Sequence, residues 1–259
     1  MSEEARELAL REGGSPPGSE GTSSHGSSAD GHIRKGAPIR PVMPPRQLQG
    51  TPDWFEKRRG KITASKFSDV MTPPRGKKDR ENGVMGATAR SYMLEIIAEI
   101  LTGQTQGHKT TTAEQWGIDH EPGAADVYAE RMGVGPQEVG FIVHPDDAMV
   151  GGSPDRLIGD DGGLEIKCPF NSAIHIKTIY DGVMPKERIA QVQGSLWVTG
   201  RKWWDFVSYD PRLKDLRLAL FCVKIARDEE YIARLAQAVG AFRETLLSTL
   251  CTIKQGVQS

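Results

Sequence analysis

Residues 151–170 read Gly-Gly-Ser-Pro-Asp155-Arg-Leu-Ile-Gly-Asp-Asp-Gly-Gly-Leu-Glu165-Ile-Lys167-Cys-Pro-Phe. The central Asp-Asp-Gly-Gly is a strong turn signal, so 155–158 and 164–168 are predicted to pair as adjacent antiparallel strands. Such a hairpin folds Asp155 back toward Glu165. Because residues two apart in a strand point to the same face, Glu165 and Lys167 are predicted to project together.

Two carboxylates beside one ammonium, at the end of a small sheet, suit divalent metal ions and phosphate chemistry. The alternative is that Asp155 and Glu165 are turn and surface acids with Lys167 as their salt-bridge partner, because the pattern is short. Apolar residues, Leu164 and Ile166, flank Glu165 on both sides. A carboxylate in an apolar strand needs a partner, so these neighbours favour the metal interpretation.

The order Pro154-Asp155 then Glu165-Ile166-Lys167 is the PD-(D/E)xK nuclease signature, which is weak by itself. Longer motifs accompany it in a fixed order: Trp54, Arg58-Arg59-Gly60-Lys61-Ile62-Thr63-Ala64-Ser65, Trp116-Gly117 with Glu121, Gly152-Ser153-Pro154-Asp155, Leu164-Glu165-Ile166-Lys167-Cys168-Pro169-Phe170, Ala190-Gln191-Val192-Gln193, Leu196-Trp197-Val198-Thr199 and Tyr209-Asp210-Pro211. Together they resemble the YqaJ-type viral recombinase family, the family of phage lambda exonuclease. The resemblance runs from about Thr51 to the 230s. It implies a restriction-endonuclease-like α/β core in which helices flank a central mixed sheet.

The resemblance also implies a metal site with four oxygen ligands: Glu121, Asp155, Glu165 and the carbonyl of Ile166. The implied catalytic residues are Asp155, Glu165, Lys167 and Gln191. An all-oxygen set suits Mg²⁺, or Mn²⁺, better than zinc, and the family implies two ions per site and no ATP. Two of these assignments have an alternative. Glu121, in the middle of a helix, and Gln191, on a helix face, are also typical of ordinary solvent-exposed polar residues.

Arg58, Ser65 and Ser153 form a second set, in which a guanidinium and two hydroxyls are suited to gripping a phosphate. By resemblance this set is a pocket for the 5′-phosphate of a DNA end, which implies 5′-to-3′ polarity. Taken alone, Arg58 is a surface cation. Three tryptophans are interpreted as core or interface residues and not as base-stacking platforms: Trp54, Trp203 and Trp204.

One departure from the family pattern lies beside the motif aspartate. Arg156 follows Asp155 where phage lambda exonuclease has a small residue. This substitution is expected to alter the entrance of the site without removing a ligand.

The chain of 259 residues is long enough for one domain, or for one domain with a tail. Residues 1–50 are rich in Gly, Ser and Pro and have no periodic apolar pattern, which predicts a disordered tail. Residues 51–259 are then the nuclease domain. The basic residues toward the end of the tail are interpreted as a solvated linker, with a DNA-touching arm as the alternative.

The formal net charge is −1, so any DNA contact is expected to depend on positive charge concentrated along a groove. Three cysteines, an odd number far apart in the chain, favour a reducing cytoplasm over a disulfide framework. No long apolar run or signal peptide is identified, so no membrane partner is expected. By resemblance the protein is expected in the cytoplasm of a bacterial host, as a phage or prophage product.

Hydrophobic spacing and capping signals predict helices before and after a short run of strands, which is an α/β arrangement. The predicted helices are Thr63 to about Met71, 87–102, one from Thr112 with a capping box to Gln115 that ends by Gly133, one from Pro185 to Gly200, and 228–249. The predicted strands, besides the hairpin, are 138–144, 202–208 and 216–225.

The resemblance therefore indicates a Mg²⁺-dependent exodeoxyribonuclease that resects double-stranded DNA ends from 5′ to 3′ and leaves 3′ single-stranded overhangs. The family further implies a homotrimeric ring and a single-strand annealing protein as partner. Two alternatives stay open. One is a structure- or sequence-specific endonuclease on the same fold, and the other is a DNA-end-binding protein without catalysis.

Overall fold

The structure is a computed structural model that describes residues 49–107 and 109–256. The predicted disordered tail, residues 1–50, lies outside the described residues apart from Gln49 and Gly50. The helices are α1 Pro52–Arg58, α2 Phe67–Met71, α3 Lys77–Glu81, α4 Ala87–Thr102, α5 Thr112–Met132, α6 Ser172–Asp181, α7 Ile189–Thr199 and α8 Glu229–Gly256. The strands are β1 Ile62–Thr63, β2 Ile142–His144, β3 Asp147–Gly152, β4 Arg156–Ile158, β5 Gly162–Lys167, β6 Trp203–Tyr209 and β7 Leu220–Ala226.

The strands form two mixed sheets. In the smaller sheet, β3 lies between β1, which is parallel to it, and β2, which is antiparallel. In the larger sheet the order is β4-β5-β6-β7, with β5 and β6 parallel and the two outer strands antiparallel to them. The predicted mixed α/β architecture is confirmed, although its strands divide between two sheets where a single central sheet was expected.

Strand β6 packs its indole rings directly on the backbone of β5. A Cβ atom added to Gly162 would lie 2.2 Å from the Trp203 ring, and one added to Gly163 would lie 2.3 Å from the Trp204 ring. Glycine at both positions therefore permits the close approach of the two strands. Trp204 is fully buried, as the sequence predicts for a core residue.

Helix α5 packs against the larger sheet and is fixed to it by a buried hydrogen bond. Ala124 and Tyr128 share an apolar cluster with Leu164 of β5 and Val207 of β6. The Tyr128 hydroxyl donates to Asp205 Oδ2 at 2.6 Å. These contacts set the position of the middle of α5, where Glu121 lies.

The N-terminus of α5 differs by one residue from the prediction. The capping box joins Thr111 and Glu114, with the Glu114 amide donating to Thr111 Oγ1 and the Thr111 amide donating to Glu114 Oε2. The predicted pair was Thr112 and Gln115. Gln115 instead donates to Asp119 Oδ1 at 2.8 Å, one turn further along the same helix.

Other boundaries also move. Helix α4 matches the prediction and ends at Gly103 in a left-handed conformation, φ 66°. The predicted helix from Thr63 begins as a 3-10 turn, Ala64–Lys66, before α2, and the one from Pro185 begins as a 3-10 turn, Lys186–Arg188, before α7. The strand predicted over 138–144 is only three residues long, and Gln137, just before it, makes an isolated bridge with Leu157.

Five elements were not predicted: α1, β1, α3, β3 and α6. Helix α6 does carry end signals, since Asn171 Oδ1 accepts from the Ala173 amide and Gly182 ends the helix with φ 68°. Strand β3 begins with Asp147 and ends in two glycines, a composition that is unfavourable for a strand. Across 49–107 and 109–256, no helix has the length and apolar character that a membrane span requires.

Candidate active site

Asp155 lies at the start of β4 and is held against β5 by the main chain. Its Oδ2 accepts a hydrogen bond from the Ile166 amide at 2.6 Å. The hairpin register, with Arg156 opposite Leu164, accounts for this contact because it places Asp155 beside the second half of β5. The structure thus has the predicted hairpin, with Asp155 folded back toward Glu165.

Glu165 is fully buried and forms an ion pair with Lys167, whose Nζ lies 2.5 Å from Glu165 Oε1. The two side chains share one face of β5, as the strand periodicity predicts. Among the described residues, no donor makes a hydrogen bond of good geometry to either Glu165 oxygen. A buried carboxylate with unused acceptor capacity is suited to a cation as an additional partner.

The electrostatics of this cluster are set by burial and by its own charges. Burial, followed by the negative charge of Glu165, raises the pKa of Asp155 well above its ordinary value. Burial alone lowers the pKa of Lys167, but the charges of Glu165 and Asp155 outweigh it and the net pKa is raised. Lys167 is therefore a fixed positive charge at neutral pH and not a free base.

Glu121, the predicted ligand on α5, faces the same cluster but is already paired. Arg156 Nη1 donates to Glu121 Oε1 at 2.9 Å and also to the main-chain oxygen of Asp155 at 2.5 Å. Burial raises the pKa of Glu121, and the positive charge of Arg156 opposes that shift. The sequence identified Arg156 only as a departure from the family pattern. The contact of Arg156 with Glu121 could not be predicted from the sequence.

The donor chemistry at Asp155 and Glu165 fits a divalent cation, since both are buried carboxylates and Glu165 has unused acceptor capacity. In the described part of the chain, however, no three His, Cys, Asp or Glu side chains are arranged as a ready ligand set. Arg156 holds one carboxylate oxygen of Glu121, Oε1, in an ion pair. The metal-binding roles of Glu121 and of the Ile166 carbonyl stay predictions.

The residues predicted to hold a phosphate lie where β1 and β3 end. Trp54 Nε1 donates to Ser153 Oγ at 2.8 Å, and the Arg58 guanidinium lies 5.2 Å from the centre of the Trp54 ring. Ser65 is exposed, and its hydroxyl lies 3.3 Å from that of Thr63. Because β1 and β3 are parallel, Ser65 and Ser153 follow the same end of adjacent strands. Trp54 is thus a site neighbour, where the sequence suggested a core or interface residue.

A groove of about 1120 Å³ runs from Trp54 and Arg58 to Asp155 and Lys167, and neither Ser65 nor Ser153 is among its lining residues. Its lining includes five predicted site residues: Arg58, Glu121, Asp155, Ile166 and Lys167. Glu165 lies beneath the lining because it is fully buried. The groove is large enough for part of a nucleic acid strand, and its walls carry both the carboxylates and the cations.

Gln191 is not brought into the groove. It is half-buried on α7 and is not among the groove-lining residues. The neighbouring Gln193 has a structural role, since its side chain bonds Ala226 and Asp228 of the adjacent chain segment. Arg188, just before α7, does line the groove, and its positive charge acts to lower the pKa of Lys167. Sequence reasoning missed Arg188, because a single arginine near a helix start carries no motif.

Arg212 holds the loop that follows β5. Its guanidinium donates to both oxygens of the buried Asp210 and to the carbonyl of Phe170. It also lies 4.3 Å from the centre of the Trp116 ring on α5. Arg212 therefore joins the end of β5 to the helix that carries Glu121.

The model of the YqaJ-like viral recombinase domain matches residues 53–202, which is more than half of the 259-residue chain. The chain belongs to the YqaJ-like viral recombinase family. The family match includes Arg58, Glu121, the β4–β5 hairpin and Gln191.

Solved structures agree with this assignment to the YqaJ-like family. The chain is similar to an alkaline exonuclease from Laribacter hongkongensis, LHK-Exo, at 40% identity and TM-score 0.71, over 80% of this chain and 98% of that one. LHK-Exo in complex with dAMP gives TM-score 0.72 at the same identity and coverage. A phage-related exonuclease from Haemophilus somnus 129PT is 18% identical, with TM-score 0.55, over 74% of this chain and 96% of that one, which supports the fold alone. The PD-(D/E)xK restriction-endonuclease-like fold is thereby confirmed.

Proposed function

We propose that this YqaJ-like protein is a metal-dependent exonuclease that degrades linear double-stranded DNA from 5′ to 3′ and leaves 3′ single-stranded overhangs. Such overhangs are the substrate for recombination by strand annealing. One observation carries the proposal. Asp155 and Lys167 line a large groove beside the buried Glu165, in a chain that is 40% identical to an alkaline exonuclease.

Asp155 and Glu165 are the proposed metal ligands, and Mg²⁺ is the proposed cofactor, with Mn²⁺ as a substitute and two ions per site. Oxygen-only ligands and carboxylate charge favour these hard ions. When bound, divalent ions polarise the phosphoryl group and stabilise the attacking and leaving oxygens. Lys167 supplies a preorganised positive charge for the phosphate, and the Ile166 amide holds Asp155 in place.

The proposed 5′-to-3′ polarity rests on Arg58, which lines the groove, and on Ser153, which accepts a hydrogen bond from the groove-lining Trp54. We propose that Arg58 and Ser153, together with Ser65, bind the terminal 5′-phosphate. A guanidinium and hydroxyl groups are suitable donors for phosphate oxygens. The structure of LHK-Exo with dAMP supports a nucleotide-binding site in a relative of this chain. A preference for phosphorylated over hydroxyl 5′ ends is the expected consequence.

Gln191 stays proposed as a residue that orients Lys167 or the attacking water, on the basis of resemblance alone. Arg188 is added here as a contact for the DNA backbone, because it lines the groove near Lys167. The domain proposal is that residues 51–259 belong to the nuclease domain and that residues 1–50 are a tail outside it.

The proposed assembly and partners come from the family resemblance. They are a homotrimeric ring around double-stranded DNA, and a single-strand annealing protein that receives the 3′ overhang. The proposed location is the cytoplasm of a bacterial host, with the protein encoded by a phage or prophage. Sedimentation of the purified protein would test the trimer, since a monomer or dimer at micromolar concentration contradicts it.

The deciding experiment is digestion of linear duplex DNA in Mg²⁺, with 5′-phosphorylated and 5′-hydroxyl ends compared. Closed circular DNA and the Asp155→Ala protein are the controls. We expect one strand to be lost from phosphorylated ends, with intact circles and an inactive Asp155→Ala variant. Nicked circles would instead indicate the endonuclease. Absence of Asp155-dependent cleavage in both Mg²⁺ and Mn²⁺ would leave the non-catalytic end-binding protein.

A further inference from the structure

Arg156 occupies an unusual position for a surface-type residue. Its side chain is only 11% exposed, and its guanidinium lies between α5 and the start of β4. One nitrogen, Nη1, donates both to Glu121 Oε1 and to the carbonyl of Asp155. Arg156 also sits opposite Leu164 in the hairpin register, so its backbone cannot shift without breaking that pairing.

Two of the three buried or half-buried acids in this cluster form ion pairs, and the third, Asp155, forms none with a described residue. Lys167 is paired with Glu165, and Arg156 is paired with Glu121. Asp155 accepts from a main-chain amide. The guanidinium cannot lose its proton under ordinary conditions, so Glu121 is released only if Arg156 moves away from it.

We propose that Arg156 is a built-in counter-ion that competes with a divalent cation for Glu121, so that Glu121 becomes a metal ligand only when the guanidinium releases it. The inference rests on the proposed metal-dependent function. Asp155 and Glu165 then form the tighter part of the metal site, and Glu121 contributes to a weaker part whose affinity Arg156 sets. A small residue at this position would leave Glu121 available throughout.

The competition predicts a specific change in metal affinity. Replacing Arg156 by Met keeps the length of the side chain but removes the cation. In Arg156→Met, metal binding no longer has to break a hydrogen bond between two charged groups. The affinity of the site for the metal should therefore rise by about tenfold or more. If Arg156 instead positions Glu121 for the metal, the same change should weaken binding, as loss of a supporting partner usually does.

The test is titration of the full-length protein with Mn²⁺ by calorimetry, without DNA, so that binding is measured apart from turnover. The variants are Arg156→Met, Glu121→Gln and the double variant. The matched control is Arg201→Met, which removes another guanidinium that contacts the same hairpin from outside it by donating to the carbonyls of Gly159 and Gly162. We expect tighter binding in Arg156→Met, no gain in the Glu121→Gln background, and wild-type binding in Arg201→Met.

Unchanged or weaker Mn²⁺ binding by Arg156→Met overturns the proposal, and so does a gain that persists in the Glu121→Gln background. If Arg156→Met does not fold, the side-chain Nε–Hε resonance of Arg156, assigned with Arg156→Lys, is followed by NMR in the wild type. Addition of Mg²⁺ should shift it, and a resonance that does not respond contradicts the competition.

Different results would contradict the proposed role of Arg156 and the proposed nuclease activity. A wild-type protein that cleaves DNA in Mg²⁺, while Arg156→Met gains no affinity, removes the role of Arg156 and leaves the proposed nuclease intact. A wild-type protein that neither binds Mn²⁺ nor cleaves DNA removes both, because nothing then competes for Glu121.

Discussion

Asp155 lies in surroundings that disfavour its own charged form. It is buried beside Glu165, and these two conditions raise its pKa well above the ordinary value. The metal-free protein therefore holds a carboxylate that would be more stable neutral. Functional sites often contain such charged groups, which destabilise the unliganded protein but contribute to ligand binding.

Asp155→Asn should stabilise the metal-free protein by about 1 kcal/mol, which corresponds to a rise in Tm of about 2–4 °C for a chain of this size. The amide keeps an acceptor for the Ile166 amide and removes repulsion from Glu165. DNA cleavage should fall by about a hundredfold or more. Thermal unfolding in the presence of a chelator, beside a nuclease assay, measures both effects.

The pH dependence gives an internal control for this prediction. A carboxyl whose folded pKa is raised contributes stability below its unfolded pKa, and that contribution is lost as pH rises through the folded pKa. The advantage of Asp155→Asn should thus be largest at neutral and alkaline pH and shrink on acidification. An advantage that grows as pH falls would contradict the raised pKa.

Arg212→Leu should destabilise the protein by about 2 kcal/mol, because it leaves the buried Asp210 without its cation while Arg212 itself is partly exposed. Arg212 depresses the pKa of Asp210, so the stability is present above pH of about 4 and lost as pH falls further. The matched control is Arg217→Leu, whose partner Asp215 is exposed, and it should have little effect. Equal losses in urea unfolding of the two variants would contradict the prediction.

At the scale of elements, α7 approaches the start of α2 through a glycine. A Cβ atom added to Gly194 would lie 2.3 Å from the ring of the fully buried Phe67. Gly240 of α8 has no atom within 4 Å of the equivalent position. A methyl group therefore has no room at Gly194 but has open space at Gly240, so alanine should have opposite effects on stability at the two positions.

Gly194→Ala should therefore destabilise the protein by about 1–3 kcal/mol through overpacking. Gly240→Ala should stabilise it by about 0.5–1 kcal/mol, because alanine favours the helix and meets nothing. Denaturant unfolding of both variants measures the two signs. A Gly194→Ala protein as stable as wild type would mean that α7 and Phe67 separate easily.

The features that could be predicted from the sequence are those encoded by residues that lie close together in the chain. The hairpin around Asp155 was predicted well, because its turn residues and strand alternation lie within twenty positions. Strand β3 was missed because its aspartate and two glycines are unfavourable for a strand, and because one of its two partner strands, Ile62–Thr63, is far away in the chain. The capping box moved by one residue because Thr111 and Thr112 are adjacent and equally able to cap.

The same reasoning applies to the site. Asp155, Glu165 and Lys167 belong to one motif, so the sequence indicated them together. The contact between Arg156 and Glu121 joins residues 35 positions apart, and only the folded chain brings them within 2.9 Å. Gln191 was inferred from a motif alone, and the structure does not place it along the groove.

At the scale of the molecule, the formal net charge of −1 gives no general attraction for DNA. Binding should depend on a few cations along the groove, among them Arg58, Lys167 and Arg188. Loss of one phosphate contact reduces the salt dependence of binding by about one unit of slope.

Arg188→Gln should weaken binding to DNA ends and lower the slope of log affinity against log salt by about 1. Fluorescence anisotropy with a duplex end, in Ca²⁺ to limit turnover, measures it over a range of salt. Arg234→Gln is the control, because Arg234 lies on α8, is paired with Glu230 and does not line the groove. Equal slopes for Arg188→Gln and wild type would exclude a phosphate contact.

Removal of residues 1–42 should leave Tm and DNA cleavage unchanged. The family match begins at residue 53, after the removed segment. Cleavage of phosphorylated linear DNA by the shortened protein, beside the full chain, tests this directly. A large loss of activity would place a DNA contact in the removed segment.

The hydrogen bond between Asp155 and the Ile166 amide has an evolutionary consequence. Because the donor belongs to the main chain, no ordinary substitution of the Ile166 side chain removes it, and only proline or a slipped hairpin does. Descendants of this chain can therefore vary residue 166 among apolar types while the carboxylate stays in place. The hairpin register, and not the identity of that residue, is what inheritance has to preserve.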